Sequence, residues 1–454
     1  MMRMVTIISL PTLLVVATAM LSSCGRAGAG KVGKIIVACS GDTAGWITPC
    51  GCAVSQSGGL PRRATRLRQL AAEGTVLYVD VGGASGGASE YDLFKFRAIL
   101  AGEQAMGLVA HNLGDSEAMF GPEAIRDIAA SAGVPFISAN LVTAEGKAIA
   151  PAMILASAGG DTKLAVVGVI SRQFTDPRWS VRDPRASALA ALESAKGHFG
   201  GASLLAYAPE DELQELARTL PEFDVIIGGP TGQSIAPHRV GTVLLTSATN
   251  KGKFLAEVSA DRSRSDAWSW SANVTELNDR IADDSTQKRL LDEYRSELSK
   301  RRFLPQQTGF VPQLAAAWPA DYRFADPSAC GTCHTLDAQK TLAHKHAMAY
   351  SDLVQRKAEA DPYCVRCHTT AYGMPGGFRS STDTQSLLNV SCQACHGPSQ
   401  AHVSNPASSK PPWLAREQCR NCHDRENSPG FDYDEFWKRI QHGEVKPAMA
   451  EVRK

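Results

Sequence analysis

Four copies of the pentapeptide Cys-x-x-Cys-His lie between residues 330 and 423 and constrain this chain more than any other feature. Cysteines three positions apart lie on one side of a helical turn, so both can form thioethers to the vinyl groups of one haem. The adjacent histidine can then bind the iron. Zinc held by paired cysteines would not need a histidine after every second cysteine. We therefore predict four covalently bound haem c groups, at Cys330-Cys333-His334, Cys364-Cys367-His368, Cys392-Cys395-His396 and Cys419-Cys422-His423.

Second iron ligands can be sought among the histidines outside the motifs. The chain has 11 histidines, of which four complete the motifs. Four others are concentrated in the same region: His344, His346, His402 and His442. This concentration supports a ligand role, although each could also be a solvated surface histidine. The thioethers of Met348, Met374 and Met449 are alternatives, but their spacing does not favour them.

The charge balance excludes one class of function. The chain has 47 basic and 46 acidic side chains, a formal net charge of +1. Such a balance argues against a polybasic nucleic-acid-binding protein, and we expect no nucleic-acid partner. A length of 454 residues indicates two or three domains, each able to bury its own core.

The N-terminus has the pattern of an export signal. A basic start at Arg3 is followed by an apolar stretch over residues 5–20, and we assign residues 1–23 to the signal peptide. The sequence Leu21-Ser22-Ser23-Cys24 resembles the lipobox of bacterial lipoproteins, which implies that Cys24 carries lipid. The alternative is an ordinary signal peptide with an unrelated cysteine. We expect a lipid-anchored protein of the bacterial envelope that faces the periplasm, with Gly25 favouring the outer membrane.

The haem-motif region resembles the tetrahaem cytochrome c-554 family in the order of its details. These are His346-Ala-Met-Ala after the first motif, Tyr372-Gly-Met-Pro-Gly-Gly after the second, Gly397-Pro398 and His402 after the third, and 431–436 with His442 after the fourth. The resemblance implies electron transfer. It also implies His402 as second ligand of the first haem, His346 of the third and His442 of the fourth.

The haem on His368 would then be five-coordinate and open to a small ligand such as nitric oxide. His344 departs from the family pattern. It could bind the second iron or replace His346.

The first domain, residues 31–265, has the pattern of an α/β fold. Short aliphatic runs alternate with amphipathic segments. We predict strands over 34–38, 75–79, 163–167, 202–206 and 224–228, and helices over 60–72, 93–109, 122–132 and 210–220. A helical connector over 266–317, with a helix at about 278–302, leads to the cytochrome domain over 318–454, which we expect to be mainly α and rich in loops.

The first domain is similar to the metallophosphoesterase domain of 5′-nucleotidases, the calcineurin-like fold. The similar segments are 112–117, 135–140 and 226–232. The resemblance implies a four-layer α/β sandwich with two metal ions that activate water. However, Asp115-Ser116 replaces the family's Asn-His, Pro230 and Gly232 replace paired histidines, and Gly83 replaces a bridging aspartate. No Asp-x-His follows the first strand, so we expect an inactive scaffold.

Three cysteines lie near the expected metal position: Cys39, Cys50 and Cys52. They could bind a soft metal or act as redox thiols. A structural disulfide from Cys39 to Cys50 or Cys52, with one thiol left, is the alternative. Arg62 and Arg63 at the start of the next helix are expected to lower a thiol pKa or to bind an anion.

These patterns favour a membrane-anchored tetrahaem cytochrome that transfers electrons in a respiratory or redox chain. Its expected partners are other cytochromes or a quinol-linked donor. A haem-fed reductase of a small nitrogen or sulfur species is the main alternative. A phosphoesterase or nucleotidase is the second.

Overall fold

The computed structural model describes residues 33–49, 56–261, 268–310, 318–411 and 417–443. The signal peptide, Cys24, Cys50, Cys52 and Met449 lie outside the described residues. Within the described parts of the chain, no helix combines the length and apolar character that crossing a membrane requires.

Two six-stranded sheets and one two-stranded sheet form the first domain. The strands are β1 Ile35–Ser40, β2 Thr75–Asp80, β3 Leu108–Asn112, β4 Phe136–Ile137, β5 Leu141–Thr143, β6 Met153–Ser157, β7 Lys163–Ile170, β8 Trp179–Val181, β9 Gly201–Tyr207, β10 Val225–Gly229, β11 His238–Val240, β12 Val243–Ser247, β13 Phe254–Asp261 and β14 Ser269–Glu276. The first sheet has the order β14-β13-β1-β2-β3-β4 and the second β11-β12-β10-β9-β7-β6. In the first sheet β1 to β4 are parallel, and the antiparallel strands β13 and β14 lie at one edge. In the second sheet the four central strands are parallel, and an antiparallel strand lies at each edge.

The helices and the alternation of side chains on the strands complete the predicted four-layer α/β sandwich. The helices are α1 Leu60–Ala71, α2 Glu90–Ala105, α3 Asp115–Ala118, α4 Pro122–Ala132, α5 Pro184–Ser194, α6 Glu210–Thr219 and α7 Ser285–Arg301. On β7, Leu164 and Val166 join the core that also contains first-sheet residues, whereas Ala165 and Val167 join a second core with α5 and α6. Because neighbouring strand residues point to opposite faces, β7 separates two apolar layers.

The second helix begins and ends earlier than the predicted range of 93–109. Ser89 and Asp92 form a reciprocal capping box that begins α2 at Glu90. Gly107, with a φ of 78°, makes the turn that follows, and β3 begins at Leu108. The apolar run of the prediction therefore contains both a helix end and the start of a buried strand.

The first domain extends beyond the expected boundary at residue 265. Strand β14 pairs with β13 along its whole length, so residues 269–276 belong to the first sheet. Helix α7 packs against the same domain, with the Tyr294 ring stacked on Phe94 and the Gln287 side chain donating to the Gly102 carbonyl. The expected connector therefore contributes a strand and a helix to the sandwich.

The C-terminal region is helical and rich in loops, as predicted. Its helices are α8 Ser328–Cys333, α9 Thr335–Leu342, α10 Ala349–Gln355, α11 Pro362–His368, α12 Cys392–His396, α13 Gln400–Ser404, α14 Glu417–Arg420 and α15 Tyr433–Ile440, with 3-10 turns at Pro305–Gln307, Lys345–Met348 and Gln385–Leu387. Its apolar core is small and consists of Leu353, Val365, Tyr372, Phe378 and Leu387. A large prosthetic group would supply the packing that so few apolar side chains do not.

Candidate functional site

Each haem motif lies on a short helix or directly after one. Helices α11 and α12 contain the second and third motifs up to their histidines. Helix α8 ends at Cys333 and α14 ends before Cys422, so the first and fourth motif histidines follow a helix end. In α11 and α12 both cysteines and the histidine therefore lie on one helix, an arrangement that suits thioether formation to a single ring.

Contacts between cysteines reveal the order of the motifs in space. The Cys330 and Cys392 side chains lie close enough to change each other's pKa, which places the first motif beside the third. The Cys367 and Cys422 side chains likewise change each other's pKa, which places the second motif beside the fourth. Cys395 of the third motif interacts electrostatically with fourth-motif cysteines. The motifs therefore follow one another in the order first, third, fourth, second.

Three motif histidines each lie opposite a histidine from elsewhere in the chain. The ring centroids are 6.2 Å apart for His334 and His402, 6.1 Å for His423 and His346, and 5.8 Å for His396 and His442. Two imidazoles on opposite faces of one iron have centroids roughly 6 Å apart, because each metal–nitrogen bond is roughly 2 Å long. The three pairs therefore fit bis-histidine haem iron.

Two of these pairs differ from the assignment that the cytochrome resemblance implies. His346 lies opposite the fourth-motif histidine rather than the third, and His442 lies opposite the third rather than the fourth. The Gly443 amide, next to His442, donates to the Asp337 carboxylate of α9, so this segment lies beside the helix that follows the first motif. His402 lies opposite the first-motif histidine, as the resemblance implies.

Hydrogen bonds to Nδ1 leave Nε2 as the ligand atom. His402 and His368 bond through Nδ1 to the carbonyls of Ser409 and Ala349, each over 2.6 Å, and His442 bonds to the Ile440 carbonyl over 2.9 Å. A metal-binding histidine usually directs its other ring nitrogen to such a group, which fixes the tautomer.

The pKa values of His346, His396 and His423 lie below the ordinary value. Burial is the main cause in each case, and neighbouring histidines add to it for the first two. The lowered values favour the neutral imidazole, the form that binds metal. His344 and His368 are among the neighbours of His346, so the second motif histidine and the additional histidine lie in one group.

Tyr207, the last residue of β9, lies beside Asp115 and Gly83, two positions where the phosphoesterase resemblance places metal ligands. Its hydroxyl donates to the Asp115 carboxylate over 2.6 Å. The pKa of Asp115 is raised, mainly by burial, and so is the pKa of Asp42, again by burial with a smaller contribution from Asp115. Asp42 accepts hydrogen bonds from the Thr249 hydroxyl and the Asn250 amide.

A side chain at Gly83, where the phosphoesterase resemblance implies a bridging aspartate, would displace the Tyr207 ring. Its φ is 76°, and a Cβ atom there would lie 2.6 Å from Cε2 of Tyr207. The neighbouring Gly114 is crowded by the same ring, at 2.9 Å. An aspartate at position 83 and the observed Tyr207 ring therefore exclude each other.

A fully buried ionic network in the first domain was not predicted from the sequence. Arg63 Nη1 lies 3.4 Å from Glu103 Oε1 and 4.0 Å from Asp80 Oδ2. His111 lies between two carboxylates, with Nδ1 3.0 Å from Glu103 and Nε2 3.6 Å from Glu117. The sequence feature that could have indicated this network is the presence of charged residues within the apolar runs of α2 and β3.

This network contains donors that could hold a metal ion, but it already contains a cation. Ligand atoms of Asp80, Glu103 and His111 all lie within 4.8 Å of one another. The Arg63 guanidinium lies among them and also donates to the hydroxyls of Ser40, Tyr78 and Thr43. Arg63 is therefore committed to internal contacts, contrary to the expectation that it serves a thiol or an anion.

Cys39 is buried in β1, and its environment is the opposite of the one expected for a reactive thiol. Burial raises its pKa well above the ordinary value, the Asp80 charge adds to the rise, and Arg63 opposes it only in part. The expectation of a lowered pKa is therefore wrong for Cys39. Cys50 and Cys52 lie outside the described residues.

Comparison with known proteins assigns the two parts of the chain separately. Residues 329–397 match the family model described as "Cytochrome c554 and c-prime". No curated protein sequence matches the chain. Residues 329–397 of the C-terminal region are thus similar to a family of c-type cytochromes, a class of protein that holds haem through cysteine thioethers.

Solved structures match the first domain. A 5′-nucleotidase precursor from Thermus thermophilus is 20% identical with a TM-score of 0.51, and the match covers 59% of this chain and 59% of that one. The sulfate thiohydrolase SoxB from Thermus thermophilus is 16% identical with a TM-score of 0.50, and the match covers 60% and 62%. The calcineurin-like phosphoesterase YfkN from Bacillus subtilis is 15% identical with a TM-score of 0.50, and the match covers 58% and 97%.

These likenesses confirm the metallophosphoesterase-like fold of the first domain. The match spans about three fifths of the first two structures.

Proposed function

We propose that this protein is a tetrahaem cytochrome that transfers electrons between redox partners. The spacing of three histidine pairs, with ring centroids 5.8 to 6.2 Å apart, carries this proposal. Eight motif cysteines would anchor the four haems, and His334, His368, His396 and His423 would bind their irons on one face. His402, His442 and His346 would bind the first, third and fourth irons on the other face.

Haem iron supplies one-electron chemistry, and the polypeptide supplies position and environment. The chain orders its attachment points as first, third, fourth, second, so that each haem would neighbour the next. Buried imidazoles with low pKa values keep the ligand nitrogen unprotonated, and the Nδ1 hydrogen bonds fix its direction.

Haem content and ligation test this proposal directly. The intact mature chain should carry four haem masses that survive denaturation, because thioethers are covalent. Low-temperature EPR of the oxidised protein should show low-spin signals from three bis-histidine haems. A chain that retains fewer than four haems, or that remains entirely high-spin, would contradict the proposal.

We further propose that the first domain does not hydrolyse phosphate esters. The Tyr207 ring beside Gly83 supports this, since it fills the space that a bridging ligand would need. Hydrolysis by this fold requires two metal ions held close together. The purified protein should release no phosphate from nucleotides with added Mn²⁺ or Zn²⁺, and metal-dependent release would overturn the proposal.

The location and partners of the protein are also proposals. Cys24 in its lipobox supports a lipid anchor that faces the periplasm, where the partners would be other cytochromes or a quinol-linked donor. Metabolic labelling with a fatty acid tests the anchor: Cys24→Ser should lose the label and release the protein from the membrane fraction.

The reductase alternative depends on the cysteine loop of Cys39, Cys50 and Cys52 or on an open second haem. A purified protein with no free thiols after denaturation, no metal besides haem iron and no high-spin ferric EPR signal would remove the support for it. Cys39, which is buried with a raised pKa, does not favour this alternative.

A further inference from the structure

The contacts that join the two domains lie at the second and fourth haem motifs. Helix α11, which carries the second motif, begins after Asp361, whose carboxylate accepts a hydrogen bond from the Tyr363 amide over 2.9 Å. A residue at this position satisfies a free amide of the first turn and so fixes where the helix begins. A residue that fixes the position of Asp361 therefore also fixes the start of α11, the helix that contains Cys364, Cys367 and His368.

Two residues of α2, in the first domain, hold Asp361. The Tyr91 hydroxyl donates to the Asp361 carboxylate over 2.6 Å, and the Lys95 ammonium donates to the Tyr91 hydroxyl over 2.8 Å. Lys95 also lies 5.3 Å from the centroid of the Tyr363 ring, the residue directly before Cys364. Tyr91 is buried, and the Cys364 thiol is close enough to act on it electrostatically.

Aromatic and ionic contacts extend this interface to both sides. Trp46 meets the Tyr363 ring edge-to-face at 5.7 Å, and Lys251 lies 4.9 Å above Trp46. Lys251 and Lys253 form salt bridges of 3.2 and 3.0 Å with Glu426, which follows the fourth motif closely. The first domain thus contacts the second motif, which is the last in the spatial order, and the fourth motif, which is next to it.

We propose that the first domain forms part of the second haem site, with Tyr91 and Lys95 as positioning residues for α11 and the Lys95 charge raising the reduction potential of the haem on His368. The proposal rests on the proposed electron-transfer function. A positive charge in a partly desolvated interface favours the reduced iron, which carries one positive charge fewer than the oxidised iron. The first domain would therefore tune the haem at the end of the relay that it contacts.

Charge variants of the full-length holoprotein test the electrostatic part. Lys95→Met should lower the midpoint potential of one haem transition in a spectroelectrochemical titration and leave the others within error. Lys95→Arg should keep the wild-type potential, since it retains the charge. Arg97→Met is the matched control, because Arg97 is exposed on the same helix and should change no transition.

Tyr91→Phe tests the positioning part with a measurement that needs no electron transfer. Losing the hydrogen bond to Asp361 should speed proteolytic cleavage between the domains by roughly fivefold. An unchanged cleavage rate in Tyr91→Phe would overturn the positioning role of Tyr91. Four unchanged reduction potentials in Lys95→Met would overturn the effect of Lys95 on the second haem. A protein that binds no haem would instead refute the proposed function, while cleavage would still report the interface.

Discussion

The Tyr207 hydroxyl donates to the Asp115 carboxylate over 2.6 Å, and the same ring blocks any side chain at Gly83. One residue thus both donates a hydrogen bond to a partly buried carboxylate and fills the space beside Gly83. A larger side chain at position 83 would therefore require the Tyr207 ring to move.

Gly83→Ala should destabilise the first domain more than a glycine substitution at an open site. We expect about 1–2 kcal/mol from the positive φ and about 1–3 kcal/mol more from overlap with Tyr207, measured by denaturant unfolding. Gly107→Ala is the control, since its φ is 78° and its Cβ would have no neighbour within 4 Å. Equal losses in the two variants would show that Tyr207 is not the obstacle.

A double-mutant cycle isolates the overlap. In a Tyr207→Ala background, Gly83→Ala should cost less, with about 1–2 kcal/mol from the positive φ and the 3.2 Å approach to the Asp42 Cα as the remaining close contact. If Gly83→Ala lowers the free energy of unfolding equally in both backgrounds, the Tyr207 ring is not the source of the overlap.

The buried network should make the first domain less stable as the pH rises from about 4 through about 7, owing to Asp80, and further as it rises above 6.5, owing to His111. Burial and Glu103 raise the pKa of Asp80 to about 7. Burial opposes protonation of His111, but Glu103 outweighs it and raises the pKa of His111 well above 6.5. Groups with raised folded-state pKa values stabilise fully below their unfolded values and lose that contribution as the pH passes the folded values.

Asp80→Asn should flatten this pH dependence, since the amide keeps the size of the side chain but does not ionise. The free energy of unfolding at several pH values is the measurement. Asp279→Asn, at an exposed position, should leave the slope unchanged. A slope equal to wild type in Asp80→Asn would assign the effect to other groups.

Local sequence patterns predict most of the strands and helices of the first domain. Strand β7 and helix α6 lie close to their predicted ranges, because each is specified by an apolar pattern among residues that are neighbours in the sequence. The predicted end of α2 is wrong because the apolar run continues from the helix into strand β3. Buried helices and buried strands are both apolar, so the run alone does not mark the boundary between them. The haem motifs were readable because their spacing is imposed by covalent chemistry.

The parts that could not be predicted depend on residues distant in the chain. Arg63, Glu103 and His111 meet only when α1, α2 and β3 pack together. The partners of His346 and His442 follow from the path of long loops, as the Gly443–Asp337 contact shows. Histidine spacing alone does not contain this information.

Arg63→Met should be strongly destabilising. It would leave Asp80 and Glu103 buried without their guanidinium, a change that typically costs about 3–5 kcal/mol. Arg289→Met is the control, because Arg289 is exposed and its 2.9 Å contact with Glu293 lies on a helix surface, where such a pair is worth about 0–1 kcal/mol. Comparable small losses in both variants would show that the network does not require the cation.

The pairing of His346 with the fourth motif can be tested by removing the fourth haem. In a Cys419→Ser/Cys422→Ser background, the iron opposite His346 would be absent, so His346→Ala should create no additional high-spin haem by EPR. His402→Ala in the same background should still create one, because its partner His334 keeps its haem. If His346→Ala adds a high-spin signal there, His346 serves another iron, and the third-haem assignment that the family resemblance implies would regain support.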